Sequence, residues 1–209
     1  MINLIFDIGA NKGKSSDIFI NKCEKIICFE PNPRLVKSLK KKYNNSKIEV
    51  DSRAISDKSG IQEFNISNAD TISTLSSDWI YNSRFSEKYK WDNKIMVETI
   101  TLSDAIKDYG VPDYIKIDTE GHEYEILTNF NELLPKTLFA FEWAEEQKNK
   151  IEKTLSHLKN IGYNNFAFTN GDPILFDEDI DWVSYENFNL VETMNENRKT
   201  EWGMIYFKK

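Results

Sequence analysis

Three carboxylates stand where buried strands end. Asp118 and Glu120 lie in Asp118-Thr119-Glu120-Gly121-His122-Glu123, directly after the apolar run Tyr114-Ile115-Lys116-Ile117. Glu142 closes a second run, Thr137-Leu138-Phe139-Ala140-Phe141. Carboxylates at the tips of neighbouring strands can take a proton from a hydroxyl or anchor a substrate. Asp118 is the first choice for that work, with Glu120 and Glu142 next. The same oxygens, with His122, suit Mg²⁺ or Mn²⁺, although nothing in the spacing requires a metal. The plainer alternatives are an acid that starts a helix for Asp118, and an exposed first-turn residue for His122.

A second group lies near the N-terminus, in Asp7-Ile8-Gly9-Ala10-Asn11-Lys12-Gly13-Lys14-Ser15. Gly13-Lys14-Ser15 imitates the end of a phosphate-binding loop, but the glycines are one residue too close to wrap a phosphate. The D-x-x-G of Asp118–Gly121 would then sense a γ-phosphate. That reading weakens because the two motifs are far apart and Asn149-Lys150-Ile151-Glu152 ends in Glu where a guanine reader has Asp. A dinucleotide pattern fails as well, since Asn11 and Lys14 stand where glycines belong. Glu30 is more informative. It ends the run Lys25–Phe29, about twenty residues beyond the first glycine, where an acid can accept both hydroxyls of a ribose. Its plainer role is a helix-terminus acid before Pro31.

These groups need a frame. Residues 2–8 read as a strand entering a tight turn, and a short helix follows through Ile18-Phe19-Ile20. Lys25–Phe29 is a second strand. Asn32 is a natural N-cap and Pro33 a natural first helical residue, with Leu35, Val36, Leu39 and Tyr43 on one face. Ile48 and Val50 mark a third strand. The alternation loosens into extended segments at 61–66 and 95–102 around a polar stretch, 67–94. Strands at 114–117 and 137–142, a helix over 121–130 and a helix ending at Gly162 follow. Phe166–Phe168 and Met204–Phe207 can close the sheet as a hairpin. The economical reading is one α/β domain over 1–209.

Composition narrows the function. With 209 residues, 40% hydrophobic and 29% charged, the chain has the make-up of a globular protein. A net charge of −7 argues against a broad nucleic-acid surface. The Lys37–Lys42 run reads as the solvated side of a helix. No apolar stretch is long enough to span a bilayer, and the first residues lack the basic start of a signal peptide. Cys23 and Cys28, expected at a helix end and in a buried strand, read as reduced structural thiols. The expected address is the cytoplasm.

Taken in order, the motifs resemble the FkbM family of class I S-adenosylmethionine-dependent methyltransferases. The matching residues are Phe6-Asp7-Ile8-Gly9-Ala10-Asn11-Lys12-Gly13, Phe29-Glu30-Pro31-Asn32-Pro33 and Ala54-Ile55-Ser56-Asp57-Lys58-Ser59-Gly60. Ile72-Ser73-Thr74-Leu75, Thr101-Leu102-Ser103-Asp104 and Ile115–Glu123 continue the series, so the resemblance covers roughly residues 3–143. It implies a Rossmann-like, seven-stranded, mostly parallel sheet with an antiparallel last strand and helices on both faces. It implies that Asp7, Gly9, Ala10, Asn11 and Gly13 hold the methionine end of S-adenosylmethionine. Glu30, with Pro31 and Asn32, would hold the ribose, Ala54 the adenine, and Asp118 the far wall. The chain departs from the family pattern at Ser103, where an Asp is common, and at His122, where a small residue is common. It begins directly at its first strand, so a cap before that strand is expected to be missing or replaced.

The expected activity is methylation of a hydroxyl on a small molecule or glycan. Two insertions, near 56–100 and 172–200, are candidate acceptor-recognition elements. Trp79, Tyr81, Phe85, Tyr89 and Trp91 in the first could stack on a sugar or form a satellite core, and Trp182, Tyr185 and Phe188 offer a second wall. The alternatives are a non-catalytic scaffold of the same fold, or a protein or RNA methyltransferase. The acidic charge disfavours the RNA reading.

Overall fold

The computed structural model describes residues 2–188 and 201–209. The chain opens with β1 (Ile2–Ile8), α1 (Lys14–Phe19), β2 (Cys23–Phe29), α2 (Pro33–Lys42) and β3 (Ile48–Asp51). A small sheet follows, built from β4 (Ala54–Ile55), β5 (Gly60–Ile66) and β6 (Asn93–Ile100), with α3 (Ser77–Asn82) between the last two. The chain returns through α4 (Leu102–Tyr109), β7 (Tyr114–Ile117), α5 (Glu123–Asn129), β8 (Leu138–Ala144) and α6 (Lys148–Ile161). It ends with β9 (Asn165–Phe168), β10 (Val183–Ser184) and β11 (Trp202–Lys208).

The main sheet has the order β10-β9-β11-β8-β7-β1-β2-β3. β3, β2, β1, β7 and β8 run parallel, and β11 lies antiparallel between β8 and β9. Six parallel strands and one antiparallel strand therefore appear as the resemblance implied, and the 166–168 and 204–207 segments pair as expected. The two-residue β10 is an addition, where the chain bends back beside Asn165 and Phe166. The extended segments after β3 do not join this sheet. β4 pairs parallel and β5 antiparallel with β6, apart from the main strands.

Parallel strands covered on both faces read as continuous apolar runs. Phe6, Ile8, Phe29, Ile115 and Phe139 pack on one side, and Ile5, Cys28, Tyr114, Ala140 and Tyr206 on the other. Local signals place the helices. Asn32 caps α2, its side chain accepting from the Arg34 N–H at 3.1 Å, with Pro33 in the first helical position. Lys40, Lys41 and Lys42 fill the last turn of α2, where cations favour the helix dipole. Gly162 ends α6 at φ 115°, a left-handed conformation that favours glycine. Cys23 opens β2 rather than ending a helix, and both cysteines are buried and free. Among the described residues, no helix is long and apolar enough to cross a membrane.

The aromatic insertion is the main surprise. Ile72, Trp79, Trp91 and Ala144 form a small core of their own, with Phe85 and Tyr89 packed against it. Trp91 Nε1 donates to the Ile72 carbonyl at 2.7 Å. Of the two roles left open for these rings, most take the satellite core, and Tyr81 points to solvent. Thr74 Oγ1 donates to the Thr119 carbonyl, and Asn11 Nδ2 donates to that of Asp70. Both bonds tie the flap over the ends of the main strands.

Candidate active site

The sheet order reverses between β1 and β7, and a crevice at such a reversal is where open α/β sheets hold ligands. A cavity of about 440 Å³ lies there, within the usual range for small-molecule sites, roughly 300–1,000 Å³. Gly9, Ala10, Asn11, Glu30, Pro31 and Ala54 line it, and so do Asp118, Glu120 and Glu142.

Gly9 shows why the first loop needs glycine. Its φ is +76°, and a Cβ there would lie 1.8 Å from the Asp118 carbonyl oxygen. The loop after β1 and the loop after β7 touch at that point, so no side chain fits. Gly13 has the same φ and faces the Tyr43 ring. It stands behind the cavity wall, as Asn32 does. Asp7 is fully buried beneath the loop, where Ser16 Oγ donates to its Oδ2 at 2.5 Å and its Oδ1 has no partner among the described residues. Burial pushes the Asp7 carboxyl up, against the pull of Lys116 and Ser16.

Glu30 is held by the backbone on both sides. Its Oε2 accepts from the Asn11 N–H and its Oε1 from the Asn32 N–H, each at 2.8 Å. Burial drives this carboxyl up to about 7, although those two donors pull it down. An acid whose folded pKa lies above its unfolded value, here 4.5, favours the fold below that value and loses the advantage as pH rises through 7. We expect the wild type to lose roughly 3 kcal/mol relative to Glu30→Gln between about pH 4.5 and about pH 8. Urea midpoints of both proteins across that range measure it, and parallel pH profiles would contradict it.

The acidic end of the cavity is tightly organised. Lys116 Nζ donates to Asp118 Oδ2 at 2.7 Å, and the acids around it hold the buried ammonium in its charged form. Glu123 clasps the turn before α5. It accepts from the N–H groups of Thr119 and Gly121 and from Thr119 Oγ1. Its carboxyl is raised to about 7 by burial. Glu120 sits at φ 56°, strained for a residue with a Cβ. Burial, then the Asp118 charge, pushes Glu120 and Glu142 well above the usual carboxylate range. Gly121 turns the chain at φ 89°, with Trp79 and Gln147 against it.

His122 departs from expectation. It is buried, not exposed, and its Nε2 lies 2.9 Å from Ser56 Oγ, which Gln62 Nε2 also reaches at 2.9 Å. Burial lowers the pKa of its ring, which favours the neutral imidazole. Asp118 does not cap a helix, because α5 begins at Glu123.

Sequence reasoning missed two cations at the cavity. Lys116 was legible as a charge inside an apolar strand. Arg84 was not, since it sits in the flap, paired with Glu146 at 3.1 Å and stacked 4.5 Å over Phe85. Of the flap's aromatic side chains named above, Phe85 alone lines the cavity. In the second insertion only Asp172 does so among the described residues, and positions 189–200 lie outside them. Trp182, Tyr185 and Phe188 pack elsewhere, Trp182 donating to Asp177 and the other two lying against Phe166.

Residues 7–165 match the family model described as the methyltransferase FkbM domain. Among solved structures, the chain is similar to methyltransferase FkbM from Methylobacillus flagellatus KT, at 16% identity and a TM-score of 0.54. That match covers 98% of this chain and 43% of the other, so the chain spans less than half of that protein's length. It is also similar to precorrin-6y C5,15-methyltransferase from Geobacter metallireducens GS-15, at 13% identity and a TM-score of 0.50, covering 99% and 81% of the two chains. Both likenesses are of fold. None of the curated proteins compared by sequence matches.

Proposed function

This chain belongs to the FkbM methyltransferase family, and we propose that it transfers a methyl group from S-adenosylmethionine to a hydroxyl of a small molecule or glycan. The observation that carries the reading is one cavity with two unlike sets of lining residues. Gly9, Asn11 and Glu30 line it, and so do the acids Asp118, Glu120 and Glu142.

The residues fit the cofactor. Each Glu30 oxygen accepts one backbone bond, and a carboxylate oxygen can accept a second, from a ribose hydroxyl. Gly9 and Ala10 line the cavity, and the glycine lets the loop after β7 pack directly on that backbone, while Asp7 lies buried beneath it and braces the loop through Ser16. Ala54 offers a small apolar wall for the adenine. When bound, S-adenosylmethionine supplies a methyl carbon on a sulfonium, open to in-line attack.

The chain's own residues then align and deprotonate. Holding an acceptor in line is worth effective molarities of about 10⁵–10⁸ M. Lys116 fixes one oxygen of Asp118 and leaves the other for the hydroxyl proton. Glu120 and Glu142, pushed up by burial, stay protonated more readily and can hold the acceptor's other oxygens. Phe85 and Arg84 supply a wall for the acceptor.

Methyl-labelled S-adenosylmethionine and a panel of glycosides and hydroxy acids test this reading. Label should appear in products that resist alkali, as ethers do. Label confined to nitrogen, or no transfer to any hydroxyl in the panel, would overturn the hydroxyl assignment.

A further inference from the structure

We propose that Asp118, Glu120 and Glu142 form the binding site of a single divalent cation, Mg²⁺ or Mn²⁺. One carboxylate oxygen from each lies within 4.8 Å of the others, from two places in the fold. Asp118 and Glu120 follow β7, and Glu142 projects from β8. An octahedral ion with bonds of about 2.1 Å holds adjacent ligands about 3.0 Å and opposite ligands about 4.2 Å apart. The oxygens therefore close in on the ion when it binds, and three carboxylates are hard donors of the kind such ions prefer.

The stronger observation is what the acids lack. Glu142 is 8% exposed, lines the cavity and accepts no hydrogen bond from any described residue. Glu120 Oε2 is buried and has no partner among the described residues. Other buried acids of this site are at least partly answered, Asp7 by Ser16 at one oxygen although not at the other. Glu123 takes three donors, and Glu30 takes two. A buried carboxylate left without a partner costs several kcal/mol, so two facing one cavity point to something that arrives. Lys116 does not fill the need, because its short contact is to Asp118 alone. Arg84 lines the same cavity, but its guanidinium is paired with Glu146. Binding would displace the protons that burial leaves on Glu120 and Glu142, and three ionised carboxylates less one ammonium then carry a charge of minus two, which a divalent ion cancels.

Such an ion would sit beside the place where an acceptor oxygen meets Asp118. It would give a hydroxyl or a neighbouring hydroxyl pair a ligand position, selecting acceptors with oxygen at the reacting centre. This use rests on the hydroxyl reading above. The ion site does not.

Electron paramagnetic resonance tests the site without cofactor or acceptor, by following the free Mn²⁺ signal as protein is added. The wild type should take up one Mn²⁺ per chain, released by excess Mg²⁺. Glu120→Gln and Glu142→Gln should each weaken uptake at least about tenfold. Both remove an unanswered charge, so circular dichroism should show them folded. Glu145→Gln, at an exposed acid outside the cavity lining, should bind as the wild type does. No stoichiometric uptake by the wild type at about 1 mM Mn²⁺, or equal uptake by both cluster variants, would overturn the site. Stoichiometric uptake with methyl transfer indifferent to a chelator would overturn the ion's part in holding the acceptor.

Discussion

Asp118→Asn should bind S-adenosylhomocysteine as the wild type does and lose turnover by about 10²–10⁴-fold, the usual worth of a positioned general base. The amide keeps the size and the cavity wall but cannot take a proton. The flanking acids cannot substitute well. Glu120 is fixed in a strained backbone position, and Glu142 projects from within β8 rather than from the loop that follows β7. Lys116 then loses its carboxylate partner while remaining buried, so a modest fall in stability should accompany the lost rate. Single-turnover kinetics separate the two effects, because a folded fraction scales the amplitude while the chemistry sets the rate. An Asp118→Asn enzyme with a near-normal rate would remove this residue as the base.

Glu30→Ala should cost S-adenosylhomocysteine roughly 3 kcal/mol of binding, about 100-fold in Kd, since hydrogen bonds to a charged acceptor are worth about 1.5–3 kcal/mol each. The loss has two sources. The ribose hydroxyls lose their acceptor, and the N–H groups of Asn11 and Asn32 lose the carboxylate that sets the loop. Glu30→Gln keeps the shape and separates them. Its amide can accept at only one end, so it should fall between wild type and alanine in a calorimetric titration. Wild-type affinity in both variants would take the ribose away from Glu30.

The frame was legible because buried parallel strands write themselves as mostly apolar runs. Ile2–Ile8, Lys25–Phe29 and Tyr114–Ile117 behaved so, with only Asn3, Asp7, Lys25 and Lys116 breaking them, and Asn32-Pro33 and Gly162 marked helix ends through local backbone chemistry. The candidate site was legible to the same depth where it hangs on strand tips, at Gly9, Glu30 and Asp118. What failed depends on contacts distant in sequence. His122 reads as a polar first-turn residue until Ser56 and Gln62, on another part of the chain, cover it. For Trp79 and Trp91 the choice between stacking rings and a satellite core stayed open, because they lie in a polar stretch with no helical or strand period. Only their meeting with Ile72 and Ala144 makes them a core. Arg84 gave no signal at all, because a lone surface-type cation becomes a wall residue only through Phe85 and Glu146.

A crystal structure with S-adenosylhomocysteine bound should show the ribose hydroxyls on Glu30, the amino-acid end over Gly9 and Asn11, and the sulfur turned toward Asp118 and Glu142. A ligand seated outside this cavity, or one whose sulfur faces away from the three acids, would contradict that placement.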